Sequence, residues 1–380
     1  MTVRDRLVVV GAGAVGSAIA WAAAREGLAD EVVLVDPDPG SGASRVAGGM
    51  LAPISEAWPG ERDVLELGAA SLASWPAFAS RVAEDAGRPV GLRREGTLQV
   101  AVDAADVADL DRVAAHLEAW GRPVERLTRR ELRRLEPSLG PSVRAGFAVP
   151  DDLAVDNRVL LGALGAAGSA VGVVTLARRV VRVLDDGARV TGVSFEDGGV
   201  LEASRVVVAA GAWSSTLHAV LEGRVRPVKG EILRVRARRT SLAPPSRTVR
   251  AAVSGRPVYA VPRDAGGLVV GATQYEAGFD PDVTVGGVRD LVADVERVLP
   301  GIADYALEES AASFRPGTDD NLPLLGPVGP AGLVAATGHG RNGMLLVAVS
   351  VDAVVAALRG DPLPDAARAA AADRSAVASG

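Results

Sequence analysis

Residues 7–36, LVVVGAGAVGSAIAWAAAREGLADEVVLVD, constrain the fold more than any other stretch, because they read as a complete β-α-β unit. Residues 7–10 form a short apolar run that predicts a strand buried on both faces of a parallel sheet. Residues 14–26 predict a helix, and residues 31–35 predict a second apolar strand. A unit of this kind indicates an α/β domain with a Rossmann-like parallel sheet.

The glycines at the first strand–helix junction have the GxGxxG spacing of a dinucleotide site. Gly11 permits a tight turn, Gly13 lets a pyrophosphate approach the backbone, and Gly16 allows the helix to pack on the strand. Asp36 ends the second strand 36 − 16 = 20 residues after the last glycine, where an acid can bind the adenosine ribose. An ordinary Gly-rich turn is the alternative, but strand, glycines, helix, strand and acid all occur here in order.

The composition excludes several classes of function. A chain of 380 residues, 48% of them hydrophobic, can form two domains with sizeable cores. A net charge of −6 without a dense Lys/Arg stripe argues against a nucleic-acid partner. The absence of cysteine excludes disulfides, thiolate metal sites and a cysteinyl-flavin bond. The histidines His116, His218 and His339 form no cluster in the sequence, and we expect no metal site.

The uncharged run at residues 7–24, behind Arg4 and Arg6, could also be a signal peptide or a membrane span. The dinucleotide interpretation explains this run better, because its glycines would loosen a spanning helix and a second strand follows directly. We therefore expect a cytoplasmic protein with no membrane-spanning segment.

The remaining patterns predict two discontinuous domains. Residues 171–211 read as successive strands joined by Asp-Gly turns, and the last of these strands is expected to re-enter the parallel sheet. A β-meander of this kind is more typical of FAD-binding than of NAD-binding domains. We expect an FAD-binding domain of residues 1–86, 150–225 and 325–365, an antiparallel substrate-binding domain of residues 87–149 and 226–324, and a flexible tail at 366–380. A helix over residues 64–86 is expected to break near Trp75, because Pro76 follows.

Five motifs together resemble the flavin amine oxidases of the D-amino-acid and sarcosine oxidase group. The resemblance spans about residues 5–360 and is strongest to the glycine-oxidising bacterial members that serve thiamin synthesis. Besides the N-terminal unit, it rests on GASRVAGGMLAP, VVVAAGAWS, VYAVPR followed by VVGAT, FRPGTDDNLPLLG and GHGRNGMLL.

The resemblance implies an activity and a cofactor. Such enzymes hold FAD non-covalently and transfer a hydride from the substrate α-carbon to flavin N5. With O2 and water, glycine would yield glyoxylate, ammonia and hydrogen peroxide through an imine, with no obligatory acid or base residue. An oxidase or dehydrogenase of another small amine, such as sarcosine or a D-amino acid, is the near alternative. An NAD(P)-dependent reductase and a non-enzymic flavin-binding protein are distant ones, and a homo-oligomer is expected.

The same resemblance implies roles for individual residues. Arg315 would bind the substrate carboxylate through its planar guanidinium, with Tyr259 as hydroxyl partner. Arg341 would contact both flavin and substrate. The alternatives are a structural arginine in a Pro-Gly turn, a core tyrosine and a solvent-facing arginine, respectively. The expected FAD-binding residues lie in the N-terminal unit, the loop after it and the C-terminal turn: Gly11, Gly13, Ala14, Val15, Gly16, Asp36, Pro37, Ala43, Ser44, Gly48, Gly49, Met50, Val180, Gly211, Gly338, His339, Gly340, Arg341, Asn342, Gly343, Met344 and Leu345.

Overall fold

The computed structural model describes residues 5–374 and contains four β-sheets and eight α-helices within that range. The strands are β1 (Arg6–Val10), β2 (Glu31–Val35), β3 (Met50–Leu51), β4 (Leu92–Arg93), β5 (Thr97–Ala101), β6 (Glu125–Thr128), β7 (Ala145–Val149), β8 (Leu153–Val155), β9 (Val174–Leu176), β10 (Val180–Asp185), β11 (Val190–Phe195), β12 (Val200–Glu202), β13 (Arg205–Val208), β14 (Arg226–Arg236), β15 (Thr248–Val253), β16 (Arg256–Pro262), β17 (Gly267–Gly271), β18 (Ala306–Gly317), β19 (Leu324–Pro327) and β20 (Leu333–Thr337). The helices are α1 (Ala14–Arg25), α2 (Gly42–Val46), α3 (Arg62–Ala86), α4 (Ala104–Ala119), α5 (Arg129–Leu135), α6 (Asn157–Ala170), α7 (Val285–Val298) and α8 (Val347–Arg359).

A six-stranded sheet in the order β19-β20-β13-β1-β2-β9 forms the first layer. Its neighbours are parallel except for the edge pair β19–β20. The central strands β20, β13, β1 and β2 are almost fully buried because α1, α3, α6 and α8 cover one face and the β10-β11-β12 meander packs on the other. The predicted return of the chain from the meander to the parallel sheet beside β1 is confirmed, since β13 pairs with β1.

The second large sheet has eight strands in the order β18-β14-β17-β16-β15-β5-β7-β6 and is mainly antiparallel. One face buries an apolar core against α7, because alternate residues such as Leu233, Val258 and Val270 point to that side. The opposite face carries the intervening residues. The mixed α/β class, with a Rossmann-like sheet and an antiparallel sheet, is thus confirmed. The domain division itself stays a prediction, although the sheets draw on the segments assigned to each domain.

The N-terminal apolar run divides between β1 and α1, which packs across the parallel sheet. Gly11 adopts a φ of +106° at the turn between them. Throughout residues 5–374, no helix is both long enough and apolar enough to cross a bilayer.

The predicted break at Pro76 is wrong, since α3 runs through it without interruption. Proline removes one helical hydrogen bond, but tertiary packing compensates at this turn. Trp75 is fully buried and donates from Nε1 to the carbonyl of Leu345 at 2.8 Å. Phe78 packs edge-to-face on Trp75 and on Trp21.

Strand assignments were incomplete in several places. The run at 173–186, interpreted as one strand, divides into β9 of the parallel sheet and β10 of the meander. The strands β6, β7, β15, β18 and β19 were not predicted at all. Pro316 and Gly317 suggested a turn, but they are the last two residues of the edge strand β18. Proline is tolerated there because an edge strand need not donate every backbone N–H to a neighbouring strand.

The prediction of a flexible tail is wrong for residues 366–374. Ala367 and Ala370 are fully buried, and the backbone N–H of Ala372 donates to the carbonyl of Leu325 at 2.8 Å. Arg374 also forms an ion pair with Asp320 at 2.8 Å. Alanine side chains are small enough to pack closely here, whereas composition alone suggested no reason for packing. Residues 375–380 lie outside the described residues.

Candidate active site

A cavity of about 960 Å³ lies between the parallel sheet and the free face of the antiparallel sheet. It is lined by most of the residues predicted from the sequence: Gly11, Gly13, Ala14, Val15, Asp36, Pro37, Ala43, Ser44, Gly48, Gly49, Met50, Val180, Gly211, Tyr259, Arg315, His339, Gly340, Arg341, Gly343 and Met344. Four predicted residues do not line it: Gly16, Gly338, Asn342 and Leu345.

One end of the cavity is the turn between β1 and α1, where side chains have no room. A Cβ at Gly11 would lie 2.4 Å from the carbonyl oxygen of Ala209. A Cβ at Gly13 would lie 3.0 Å from the Oγ of Ser44, and that Oγ accepts the first helical N–H, of Ala14, at 2.9 Å. The turn therefore exposes backbone and the positive end of α1 to the cavity.

Asp36 lies beside this turn, at the end of β2. Its carboxylate accepts the backbone N–H groups of Ala12 and Asp38, both at 2.8 Å. These bonds fix the carboxylate next to the glycine turn, where it lines the cavity. This is the placement that a ribose-binding acid needs.

Arg315, on the edge strand β18, lies at the other end of the cavity. Its Nη1 donates to the carbonyl of Thr273 at 3.2 Å, but no carboxylate of residues 5–374 forms an ion pair with it. Burial lowers the pKa of this guanidinium, and the nearby Tyr259 acts in the opposite direction. A shielded cation facing a cavity without a counter-ion is a strong site for an anion.

Tyr259, on β16, is wedged between Gly48, which lines the cavity, and Gly271 on the neighbouring strand β17. A Cβ would lie 2.8 Å from the tyrosine ring at Gly48 and 2.3 Å from its hydroxyl at Gly271. Burial raises the pKa of the phenol, while the charge of Arg315 lowers it. The phenol therefore stays protonated at neutral pH and can donate a hydrogen bond to an anion.

Gly230 lies on β14, opposite Ser313 of β18. Because glycine has no side chain, it leaves the space that the guanidinium of Arg315 occupies. A Cβ there would lie 2.3–2.5 Å from the guanidinium atoms. Gly230→Ala is therefore expected to displace Arg315 and to lower kcat/KM for the substrate at least about tenfold, since charge-assisted contacts depend on geometry. Steady-state kinetics with the flavin content as control would check this, and unchanged kinetics would show that Arg315 is not held in this position.

Arg341 lines the cavity, but its guanidinium forms an ion pair with Glu61. The carboxylate of Glu61 also accepts the side-chain amide of Asn321 at 2.7 Å. Burial lowers the pKa of Arg341, and the hydrogen bond and charge of Glu61 outweigh this and raise it. The positive charge of Arg341 is thus neutralised by Glu61, whereas that of Arg315 has no ion-pair partner among the described residues.

The turn before α8 holds the other C-terminal residues. A Cβ at Gly338 would lie 2.5 Å from the side chain of Thr318, so this glycine serves packing. Asn342 is buried, with its Oδ1 unpartnered, and the carbonyl of Leu345 accepts bonds from Ser71 and Trp75. Gly16 likewise serves packing, because its Cβ would lie 1.9 Å from the carbonyl oxygen of Gly11.

His339 is buried in the same turn, and its Nε2 lies 2.9 Å from the Oγ of Ser350. Burial lowers the pKa of the imidazole to about 4, so it is neutral at pH 7. Between pH 6.5 and 4 the unfolded chain therefore binds a proton that the folded chain does not, and stability falls as the pH falls. When the pH is lowered from 7.5 to 5, we expect the titration of His339 to reduce the free energy of unfolding by about 2 kcal/mol.

This expectation can be checked by urea unfolding of wild type and His339→Gln at both pH values. Between pH 7.5 and 5, the free energy of unfolding of wild type should fall relative to that of His339→Gln by that amount, because glutamine does not titrate. Asp152, whose pKa burial raises to about 7, acts in the opposite direction, but it is present in both proteins and cancels. An equal difference at both pH values would mean that His339 is not buried as a neutral group.

Several cavity residues were not predicted from the sequence, notably Glu56, Arg250 and Gln274. Glu56 follows the Gly-rich loop and Gln274 directly follows the VVGAT motif, so proximity to these motifs was an available signal. No signal identified Arg250, because its strand, β15, was not predicted. Within residues 5–374, no three His, Asp or Glu side chains are grouped to hold a metal ion.

The cavity fits FAD and a small substrate in size and in residue types. The volume is that of a cofactor site. The glycine turn, the start of α1 and Asp36 would hold the adenine dinucleotide, and the loop around Gly48 and Met50 would contact the remainder. Arg315, which lines the same cavity and has no ion-pair partner among the described residues, could bind the anion of a substrate.

Comparison with known proteins identifies the family of this chain. A model of the FAD dependent oxidoreductase family matches residues 6–357. The chain is 34% identical to a glycine oxidase of Geobacillus kaustophilus, over 91% of this chain and 90% of that protein. It is 30% identical to the bifunctional protein ThiO/ThiG of Trichormus variabilis, over 94% of this chain but only 53% of that protein, so it spans about half the length of this relative.

Solved structures give the same result. The crystal structure of glycine oxidase from Geobacillus kaustophilus superposes with a TM-score of 0.88 at 30% identity, covering 98% of this chain and 99% of that one. An iminodiacetate oxidase from Chelativorans sp. BNC1 superposes with a TM-score of 0.81 at 26% identity, covering 96% and 98%. The chain therefore belongs to the FAD-dependent oxidoreductases of the D-amino-acid oxidase family and is an FAD-dependent enzyme.

Proposed function

We propose that the protein oxidatively deaminates glycine to glyoxylate, ammonia and hydrogen peroxide, with oxygen as electron acceptor and with water hydrolysing the imine. The observation that carries this proposal is the guanidinium of Arg315, which faces the cavity without a carboxylate partner in residues 5–374. A small amino acid supplies the missing anion. The similarity to glycine oxidases in sequence and structure supports the choice of glycine.

The chain's own residues orient the substrate. Arg315 binds the carboxylate in a bidentate contact, and the protonated hydroxyl of Tyr259 donates to it as well. Arg341, held by Glu61, forms the neighbouring wall. Bound FAD supplies the acceptor for the two electrons of the α-carbon C–H bond. These residues therefore contribute by orienting the substrate, and no side chain is needed as an obligatory base.

A second candidate substrate class is a bulkier small amine, such as sarcosine or a D-amino acid. One observation favours it: a Cβ at Gly340, which lines the cavity, would meet no heavy atom within 4 Å. This open space can hold a methyl group that glycine lacks.

The biological setting follows from the relatives. The bifunctional ThiO/ThiG proteins combine a similar half with a second half that this chain does not match. We propose that the imine product, or the glyoxylate formed from it, serves thiamin thiazole synthesis, and that the enzyme acts in the cytoplasm as a homo-oligomer.

Anaerobic reduction of the flavin tests the proposal. The purified protein should be yellow, and glycine added without oxygen should bleach the flavin band. Bleaching by sarcosine or D-alanine but not by glycine would remove the glycine assignment. A colourless protein that binds NADH would contradict the flavin site itself, and a flavin that no amine reduces would favour a binding protein.

A further inference from the structure

A second charged pair, Glu56 and Arg250, lies in the cavity wall. Glu56 Oε1 is 2.5 Å from Arg250 Nη1, and the side chains are 9% and 17% exposed. Arg250 pairs directly with Tyr259 across the β15–β16 ladder. Directly opposed residues project from the same face of a sheet, so the pair adjoins the substrate end of the cavity.

Among the acids that line the cavity, Glu56 is the one near the substrate-binding candidates Arg315 and Tyr259. The other two acids in the lining, Asp36 and Asp38, follow β2 at the nucleotide end. Glu61 also lies near the substrate end, but Arg341 and Asn321 occupy its oxygens. The charge of Glu56 reaches both substrate-binding candidates. Burial raises the pKa of Tyr259 and the charge of Glu56 adds to this rise, while burial lowers the pKa of Arg315 and the charge of Glu56 opposes this fall.

The shortest contact between Arg250 and Glu56 is made by Oε1 of the carboxylate. The second oxygen, Oε2, accepts no hydrogen bond from the described chain. Within the described residues, Glu56 is the one acid that forms an ion pair with Arg250, whose Nε is buried without a hydrogen-bond partner. The arrangement leaves a carboxylate oxygen free at the end of the cavity where an amino acid would bind.

We propose that Glu56 receives the amino group of the substrate while Arg315 binds its carboxylate, and that Arg250 is the positioning residue that holds Glu56. This inference rests on the proposed function and specifies its substrate class. An ammonium group near Arg315 would be repelled without a nearby anion, and a charge-assisted hydrogen bond to Glu56 removes this cost. The cavity then selects amino acids over carboxylic and 2-hydroxy acids of equal size.

Binding without turnover tests the inference. The holoprotein is reduced with dithionite under anaerobic conditions, and the dissociation constants of glycine and acetate are measured by calorimetry. D-Alanine and propionate form a second pair that differs only in the amine. Wild type should bind each amino acid more tightly than its amine-free analogue. Glu56→Gln should reduce this preference at least about tenfold and change acetate binding less than about threefold.

The controls separate charge from position. Glu66→Gln removes the same charge from an exposed pair with Arg122, outside the cavity, and should leave the preference unchanged. Arg250→Met should weaken the amine preference, and Arg250→Lys should restore part of it. Equal losses for glycine and acetate in Glu56→Gln, or no loss for either, would overturn the role of Glu56.

The two proposals fail in different ways. If wild type binds D-alanine more tightly than propionate but does not prefer glycine, the glycine assignment falls and Glu56 is judged on the alanine pair. If wild type shows no preference for either amino acid over its amine-free analogue, the inference about Glu56 is overturned, whatever the flavin bleaching shows.

Discussion

Replacing Arg315 with alanine is expected to lower kcat/KM for glycine by about 30-fold to 1000-fold while FAD stays bound. The loss corresponds to about 2–4 kcal/mol, the size of a bidentate, charge-assisted contact removed from a shielded site. Most of the effect should appear as a higher KM, because the contact to the carboxylate already exists in the ground state.

Stability should respond differently from activity. Arg315 has no carboxylate partner within residues 5–374, and burial of its charge is unfavourable. Arg315→Ala is thus expected to leave the thermal midpoint of the holoprotein unchanged or to raise it. Arg122→Ala, at an exposed ion pair, is the matched control for loss of one positive charge. A parallel loss of stability and activity would identify Arg315 as a structural residue.

Replacing Gly16 with alanine should have the largest effect on folding. The new Cβ would lie 1.9 Å from the carbonyl oxygen of Gly11, a backbone atom that cannot rotate away. Helix α1 would then be forced off β1, and the free energy of unfolding should fall by about 3 kcal/mol or more. Urea unfolding and the yield of flavin-loaded protein measure this.

Gly165→Ala is the matched control for this substitution. Gly165 also lies inside a helix, α6, but a Cβ there would meet no heavy atom within 4 Å. Alanine is the better helix former, so this variant should gain up to about 1 kcal/mol. If Gly16→Ala were as stable as Gly165→Ala, α1 would not be packed on the turn as described.

The N-terminal unit was predictable because its chemistry is local. Gly11, Gly13, Gly16 and Asp36 lie within one β-α-β unit, and their spacing reflects a turn, a backbone approach and a helix–strand contact that short-range geometry controls. The structure brings three of them to the cavity and leaves Gly16 in the packing contact expected of it.

The substrate end was less predictable because distant strands build it. Arg315 and Tyr259 could be proposed from resemblance, but the wedge of Tyr259 between Gly48 and Gly271 depends on contacts across the cavity. Arg250 enters through the register of β15 with β16, which no local pattern expresses. The unbroken α3 has the same origin, since the buried Trp75 outweighs the proline that follows it.

The sequence by itself determined the dinucleotide turn and the α/β class, because each depends on neighbours within about 30 residues along the chain. Only the tertiary structure decided which charges are compensated. Arg341 and Arg250 each have a carboxylate partner from the segment before α3, and Arg315 has none within the described chain. That difference is a matter of long-range packing, and it makes Arg315 the candidate for binding an anion.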